Sequence, residues 1–445
     1  MASSIFPTDV AVPDWQSRRS PSDKVLALGE RAAVIVIVFA LSGGLLPLLQ
    51  SDTPAATNLF LEGDPFIRAV GAAIYLIIFA FMALRLPRYL RQARLVPAIW
   101  ILMGFAFLSA LWSQSPEVTL RRSAALCVTE VVALFISARF DLHQQLGLFR
   151  LGFELLLVGS VLAVLFLPGI ATSPEASEAG WRGILPHKNA LGATAAIGVL
   201  LEWSSEGGNW LAHLRKYGGL VLALVLLWFS QSVTAQLSLI VVGVALQFVK
   251  PLRWKLTSSI PLLITEFLAA VVIVGLILYN FETVTGFFGR NSNLSGRRPL
   301  WEFLGAMILR HPWIGYGFGA FWAGGNSDSE TVGAVVGWTP WHSHNGYLEV
   351  LLNLGIIGLG LFFISCLGTM RNLVAFYRSR SSVAHIWPVG AIVFILFSNM
   401  AECSIVRQNN ILWVLFLTIQ ISLAGWKKTS SSQGPPQFME DYRHG

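Results

Sequence analysis

Along the chain, long apolar runs alternate with short polar breaks. They fall at about 32–50, 67–84, 95–112, 123–138, 150–168, 189–203, 218–230, 233–249, 258–279, 346–369, 383–399 and 410–425. Several are shorter than the roughly 20 residues that cross a bilayer as a helix, so their ends borrow from the flanks. The pattern predicts an all-α, polytopic membrane protein with about 12 transmembrane helices. It divides into a cytoplasmic N-terminal tail at 1–31, a membrane domain at 32–425 and a cytoplasmic C-terminal tail at 426–445. Residues 1–19 are polar and carry no short apolar core followed by a small-residue cleavage site, so the first run is read as a retained helix. The longest break, 280–345, is expected to be one long periplasmic loop. Within it Leu300, Phe303, Leu304, Met307 and Ile308 recur at helical spacing after Pro299. That predicts a short amphipathic helix at the membrane surface, with Trp301, Trp313, Tyr316 and Trp322 as interface anchors.

Composition sharpens this picture. Of 445 residues, 54% are hydrophobic and 12% are charged, against roughly 25% charged in a soluble domain. A soluble globular enzyme is excluded. The formal charge of +7 comes without any run of consecutive Lys or Arg, so no nucleic-acid arm is present. With the N-terminus inside, 21 of the 31 basic residues fall on cytoplasmic segments, which is the bias that fixes membrane orientation. Both termini are then cytoplasmic. Cys127, Cys366 and Cys403 form neither a disulfide framework nor a C-x-x-C metal motif.

The remaining ten basic residues lie outside: Arg68, Arg121, Arg122, Arg182, Lys188, Arg290, Arg297, Arg298, Arg310 and Arg407. Solvation or a surface pair accounts for Arg68, Arg121, Arg122 and Arg310. Arg182, His187, Lys188 and Asn189 cluster where an outer loop enters a helix. There an Arg fork, a Lys point charge and free backbone N–H groups make an anion site, or else a well-capped loop. Arg290, Arg297 and Arg298 precede the amphipathic helix and can meet an anion at headgroup level, an ordinary anionic lipid included. His342, His344 and Asn345 precede another helix. A histidine there is a base with an orienting neighbour, or simply a cap, and His-x-His lacks a third metal ligand fixed by spacing. Ser232, in the tight turn Ser230-Gln231-Ser232, can hydrogen-bond sugar hydroxyls or merely close the turn. Glu130 and Glu266 sit inside apolar runs, where a carboxylate is a functional candidate or is paired between helices.

In this order, the motifs resemble one family. Trp112-Ser113-Gln114-Ser115-Pro116 with Thr119 and Arg122 resembles an early outer loop of the O-antigen ligase and polymerase superfamily, which includes exopolysaccharide polymerases of the Wzy and ExoQ type. Arg182-Gly183 with His187-Lys188-Asn189 resembles its next signature, and Leu294-Ser295-Gly296-Arg297 its Thr-Gly-Arg element, with Ser295 in place of Thr. His311-Pro312-Trp313-Ile314-Gly315-Tyr316-Gly317 follows. His344-Asn345, nine residues, then Gly355-Ile356-Ile357-Gly358 fits His-Asn-x9-Gly-x-x-Gly. The similarity spans roughly 95–425.

The resemblance implies a GT-C-like glycosyltransferase of the bacterial inner membrane, working at its periplasmic face on undecaprenyl-diphosphate-linked glycans with no metal or other cofactor. Arg182 and Arg297 would neutralise the leaving diphosphate and His344 would accept the acceptor's proton. Arg290, Arg298, Lys188, His187, Asn189, His342, Asn345 and Ser232 would contact substrate. The expected reaction is polymerisation of lipid-linked repeat units into exopolysaccharide or O-antigen. A lipid-linked donor and acceptor would be the partners, with a chain-length regulator or export machinery beside them. The alternatives are an O-antigen ligase acting on lipid A–core, a metal-dependent transferase of polyprenyl-phosphate sugars using Glu62 and Asp64 or Asp328 and Glu330, and a polysaccharide transporter.

Overall fold

Proline and short polar caps decide where most of the helices begin. The computed structural model describes residues 21–44, 65–172, 180–249, 297–323, 327–379 and 386–432. In chain order these form α1 (Pro21–Leu41), α2 (Pro65–Ala83), α3 (Leu86–Ala93), α4 (Pro97–Leu108), α5 (Pro116–Arg139), α6 (Leu142–Phe166), α7 (Lys188–Trp203), α8 (Trp210–Phe229) and α9 (Val233–Val249). They continue with α10 (Arg297–Arg310), α11 (Ser327–Val336), α12 (Gly346–Ser379), α13 (Trp387–Ser398) and α14 (Ile411–Ser432). Pro97 and Pro116 open α4 and α5, where a missing N–H costs nothing. A capping box joins Asp141 and Gln144 at the start of α6, and Asn209 caps α8. The described residues contain no strand, only the isolated bridge between Thr172 and Trp181.

The apolar runs of the sequence overlap these helices, although α1 begins at Pro21, inside the expected tail at 1–31 and well before the run at 32–50; the run 258–279 lies outside the described residues, as do Glu266, Arg290, Glu62 and Asp64. Among the described residues, three helices are long and apolar enough to cross a membrane by length and composition: Leu142–Phe166, Trp210–Phe229 and Gly346–Ser379. A fourth arises if the bent pair Ala69–Ala83 and Leu86–Ala93, at 98°, counts as one. Pro97–Leu111, Val233–Val249, Trp387–Ser398 and Ile411–Lys427 are apolar but shorter. The molecule is an all-helical, membrane-embedded protein.

Two cores hold it together. The larger runs through the bundle, where α5 packs on α14, α9 on α13, α1 on α6, α4 on α12 and α7 on both α6 and α8. The smaller is built by Leu300, Leu304 and Met307 of α10 with Tyr316, Phe321, Val332 and Leu352. The amphipathic helix therefore forms as its spacing predicts, and it buries its apolar stripe against protein. The aromatic anchors need correction. Tyr316 is buried, Trp301 donates to the Ser343 carbonyl at 2.8 Å, and Trp322 donates to Glu349 at 3.2 Å. Of the four, only Trp313 is prominently exposed, at 66%.

The helices also separate two populations of charge. At one end Glu30, fully buried, sits between Arg85 and Arg139 at 2.5 Å from each. Close by in the chain's order of helix ends, Arg150 meets Glu202 at 2.7 Å and Glu154 at 3.1 Å, and Arg215 also holds Glu154. Helix α7 ends at this network through Glu202 and begins, at His187, in the site described next.

Candidate functional site

The site is assembled by three loops that meet at helix starts. In the first, His187 has extended backbone and caps α7, its Nδ1 accepting the Ala190 N–H at 3.2 Å. In the second, the histidine pair is held by a tight turn. His344 stands at φ 51° and donates its backbone N–H to His342 Nδ1 at 3.0 Å, with the two rings 4.1 Å apart. Ser343 between them is buried and fixed from several sides. Its N–H donates to Glu349 at 2.8 Å, its hydroxyl donates to the Asn345 carbonyl at 2.6 Å, and its carbonyl receives Trp301. Asn345 is the cap of α12, its Oδ1 accepting the N–H groups of Tyr347 and Leu348.

The third loop, 399–410, carries residues that the motif reading passed over. Asn399 shapes it: its Oδ1 accepts the N–H groups of Ser404 and Ile405, at 2.7 and 3.0 Å, and its Nδ2 donates to Ser404 Oγ. Its carbonyl takes the Gly346 N–H at 2.8 Å, and a Cβ at Gly346 would come within 2.2 Å of Asn399 Oδ1. The loop thus lies directly on the start of α12. It presents Glu402, whose Oε1 receives Asn189 Nδ2 at 2.8 Å and Arg297 at 3.2 Å. Arg297 also donates to the Ala401 carbonyl at 2.5 Å. Arg407 donates to the Cys403 carbonyl at 2.8 Å and has no carboxylate partner among the described residues.

These pieces surround a cavity of about 160 Å³. His187, Asn189, Ser232, His342, Glu402 and Arg407 supply its polar wall, while Leu41, Ala193, Phe394 and Leu412 are among its apolar lining. Ser232 is buried there with its hydroxyl unpartnered. A second cavity, about 40 Å³, lies on the far side of His342, Cys403, Arg407 and Gln408, which border both.

The electrostatics follow from burial among cations. His344 is pushed down to about 3, first by burial and then by Arg297, His187 and Arg407, and its Nδ1 is buried without a partner. His342 is held well below its ordinary value by burial, His344, Arg407, His187 and Arg297. Both rings are neutral at pH 7 and able to accept a proton. Burial pushes the Cys403 thiol up to about 12, which removes it as a nucleophile.

Of the residues singled out by sequence, His187, Asn189, His342, His344, Arg297 and Ser232 converge. Arg182 borders neither cavity: its Nε donates to the Ile170 carbonyl at 2.6 Å, beside Trp181, whose ring stacks on Phe229 at 4.3 Å. Lys188 occupies the first position of α7, and Arg298 is exposed and pairs with Glu302 at 3.1 Å. Arg122, expected at the surface, is buried and donates to the Gly319 carbonyl at 2.5 Å, whereas Arg310 makes the surface pair foreseen for it, with Asp328 at 2.9 Å. Glu402 and Glu349 had no local signature, because only the folded loop brings them to the histidines. Arg407 had one signal, being a basic residue on an outer segment. Among the described residues no group of three His, Cys, Asp or Glu side chains is arranged to hold a metal ion.

Much of the chain is similar to known proteins. Residues 218–363 match the family model described as O-antigen ligase. Over 343 residues the chain is 25% identical to the exopolysaccharide production protein ExoQ of Rhizobium meliloti, covering 72% of this chain and 77% of that protein. The chain is therefore similar to the O-antigen ligase and ExoQ-like proteins. Shorter similarity, 38% and 36% over 66 residues, links it to candidate polysaccharide ligases of Rickettsia typhi and Rickettsia prowazekii, covering 14% of this chain and 16% of each. Within the O-antigen ligase match lies the whole of the loop that carries His342 and His344, as well as Arg297.

Proposed function

We propose that the protein is a GT-C-like glycosyltransferase that polymerises undecaprenyl-diphosphate-linked repeat units at the periplasmic face of the inner membrane. The observation that carries this reading is a neutral, buried histidine pair beside Arg297 and Arg407, with His342 and Arg407 lining a cavity that is apolar on its other side. A lipid diphosphate needs both an apolar wall and cations; a hydroxyl acceptor needs a base. In the proposed step the acceptor hydroxyl attacks the anomeric carbon, the bond from that carbon to the diphosphate oxygen breaks, and its electron pair leaves with the diphosphate. Arg297, freed from Glu402, meets the growing charge, and His344 takes the hydroxyl proton. Arg182, one loop further out and without a carboxylate partner among the described residues, is proposed as a second cation for the same diphosphate.

The ExoQ similarity, spread over most of both chains, favours polymerisation. The O-antigen ligase description and the Rickettsia proteins favour transfer to a lipid A–core acceptor as the second reading. The lipid-linked glycans of a deletion strain separate them. Single repeat units left on carrier or core mean polymerase; full-length chains accumulating on the carrier lipid mean ligase. Complementation with His344→Ala should restore the protein in the membrane but no polymer, and normal polymer from it would remove His344 as the base.

A further inference from the structure

The two cavities differ in chemistry as well as in size. The larger joins apolar side chains, Leu41, Ala193 and Leu412 among them, to Arg407 and to Glu402, which holds Arg297. The smaller is walled by Trp322, Trp341, Glu349, Asn353 and Arg122. Its polar groups are only half used. Glu349 accepts the Ser343 and Trp322 N–H groups, at 2.8 and 3.2 Å, both on Oε2, leaving Oε1 with no hydrogen-bond partner among the described residues. Asn353, only 6% exposed, accepts the Gly319 N–H on Oδ1 at 3.0 Å and leaves its Nδ2 donors unengaged. A carboxylate oxygen and an amide N–H are the acceptor and donor that a pair of sugar hydroxyls requires. Trp341 is 51% exposed at the same wall and offers a flat apolar face. A cavity of about 40 Å³ admits the hydroxyl edge of a ring, not the whole ring, so the ring itself lies outside against the tryptophan.

We propose that the two cavities divide the two substrates, the larger taking the polyprenyl diphosphate of the donor and the smaller taking the terminal sugar of the acceptor. This rests on the glycosyl-transfer reading and names the acceptor side of that site. The partition between them is His342, Cys403, Arg407 and Gln408, with the His344 ring tilted against that of His342. An acceptor hydroxyl entering from one side and an anomeric carbon from the other would meet at the histidines.

The test is equilibrium binding to the full-length protein in lipid nanodiscs, with two probes. One is sugar-free undecaprenyl diphosphate; the other is the free oligosaccharide released by mild acid from the host's lipid-linked pool. Trp341→Ala and Glu349→Gln should each weaken oligosaccharide binding about tenfold or more, with diphosphate binding unchanged. Gln at 349 keeps an oxygen for the Ser343 and Trp322 N–H groups, so the turn survives. Ala193→Phe, which fills the larger cavity, should do the reverse. Unchanged oligosaccharide binding in both variants of the smaller cavity, or equal weakening of both probes, overturns the division. Binding needs no turnover, so the two ideas fail separately. Probes that segregate in a protein forming no glycosidic bond would sink the transfer reading alone, and active transfer without segregation would sink the division alone.

Discussion

At His344 the proposed base is made weak by the same cations that a diphosphate would neutralise. Burial, Arg297, His187 and Arg407 hold it at about 3 in the free protein, and a bound anion among those cations would let it rise. The acid limb of kcat, which reports the complex, is therefore expected at higher pH than that of kcat/KM, which reports the free enzyme. Coincident limbs, or a limb absent from kcat, would contradict this. The same depression affects stability. Between about 6.5, the unfolded value, and about 3 the unfolded chain binds a proton that the folded chain does not, so stability falls as pH falls through that window. Arg297→Lys should lower kcat/KM by roughly 100-fold, because Lys cannot span Glu402 and the Ala401 carbonyl and then present a planar fork to phosphate. The candidates were legible in part in the sequence. A basic or histidine residue in a polar break of an apolar chain stands out, and Arg297, His342 and His344 were singled out that way; folding brings them together. Glu402 was not, since a carboxylate in a polar loop is unremarkable until folding sets it between Asn189 and Arg297. Arg122 was misjudged for a related reason: it sits one turn from a helix start, where exposure is usual, but the 311–319 segment folds over it.

The break in α12 explains why two distant motifs travel together. Gly355 stands at φ 64°, ψ −165°, in the middle of an otherwise continuous helix. The carbonyls of Leu352 and Asn353 that the break releases accept the N–H groups of Tyr316 and Gly317, at 2.8 and 3.1 Å. In return the N–H groups of Ile356 and Ile357 donate to the Pro312 and Trp313 carbonyls, at 2.8 and 3.2 Å. These four backbone groups are thus paired within the protein, as irregular backbone in a membrane helix requires. A Cβ at 355 would fall 2.3 Å from the Trp313 carbonyl carbon and would need a left-handed backbone. Gly355→Ala should destabilise the protein by about 2–4 kcal/mol, combining strain and lost docking. Thermal unfolding in detergent measures it, and a wild-type midpoint would refute the role given to the break. The sequence displayed His311 to Gly317 and Gly355-x-x-Gly358 as separate signatures. Their joint purpose is tertiary and could not be read from either. By contrast α10 was legible from its spacing, although its apolar stripe meets Leu352 and Tyr316 where a lipid surface was expected.

On the scale of the molecule, basic residues serve two ends. The network of Glu30, Arg85 and Arg139 is structural: a fully buried carboxylate takes both arginines. Glu30→Ala strands two partly buried cations and should cost about 3–5 kcal/mol, yet leave binding of undecaprenyl diphosphate unchanged once folded; a shift in binding without loss of stability would reverse that assignment. Helix positions were recoverable because apolar length is a bulk property of the sequence, while the ends were not, because Pro97, Pro116 and the Asp141 cap move them by up to two turns from where the apolar run begins. Helix α7 spans both ends with 16 residues. That is about 24 Å. Ten of its residues are buried against neighbouring helices, so it meets protein rather than lipid on most sides. With a histidine cap at one end and the Arg150–Glu202 pair at the other, it is a strut that sets the distance between the cavity and the charge network.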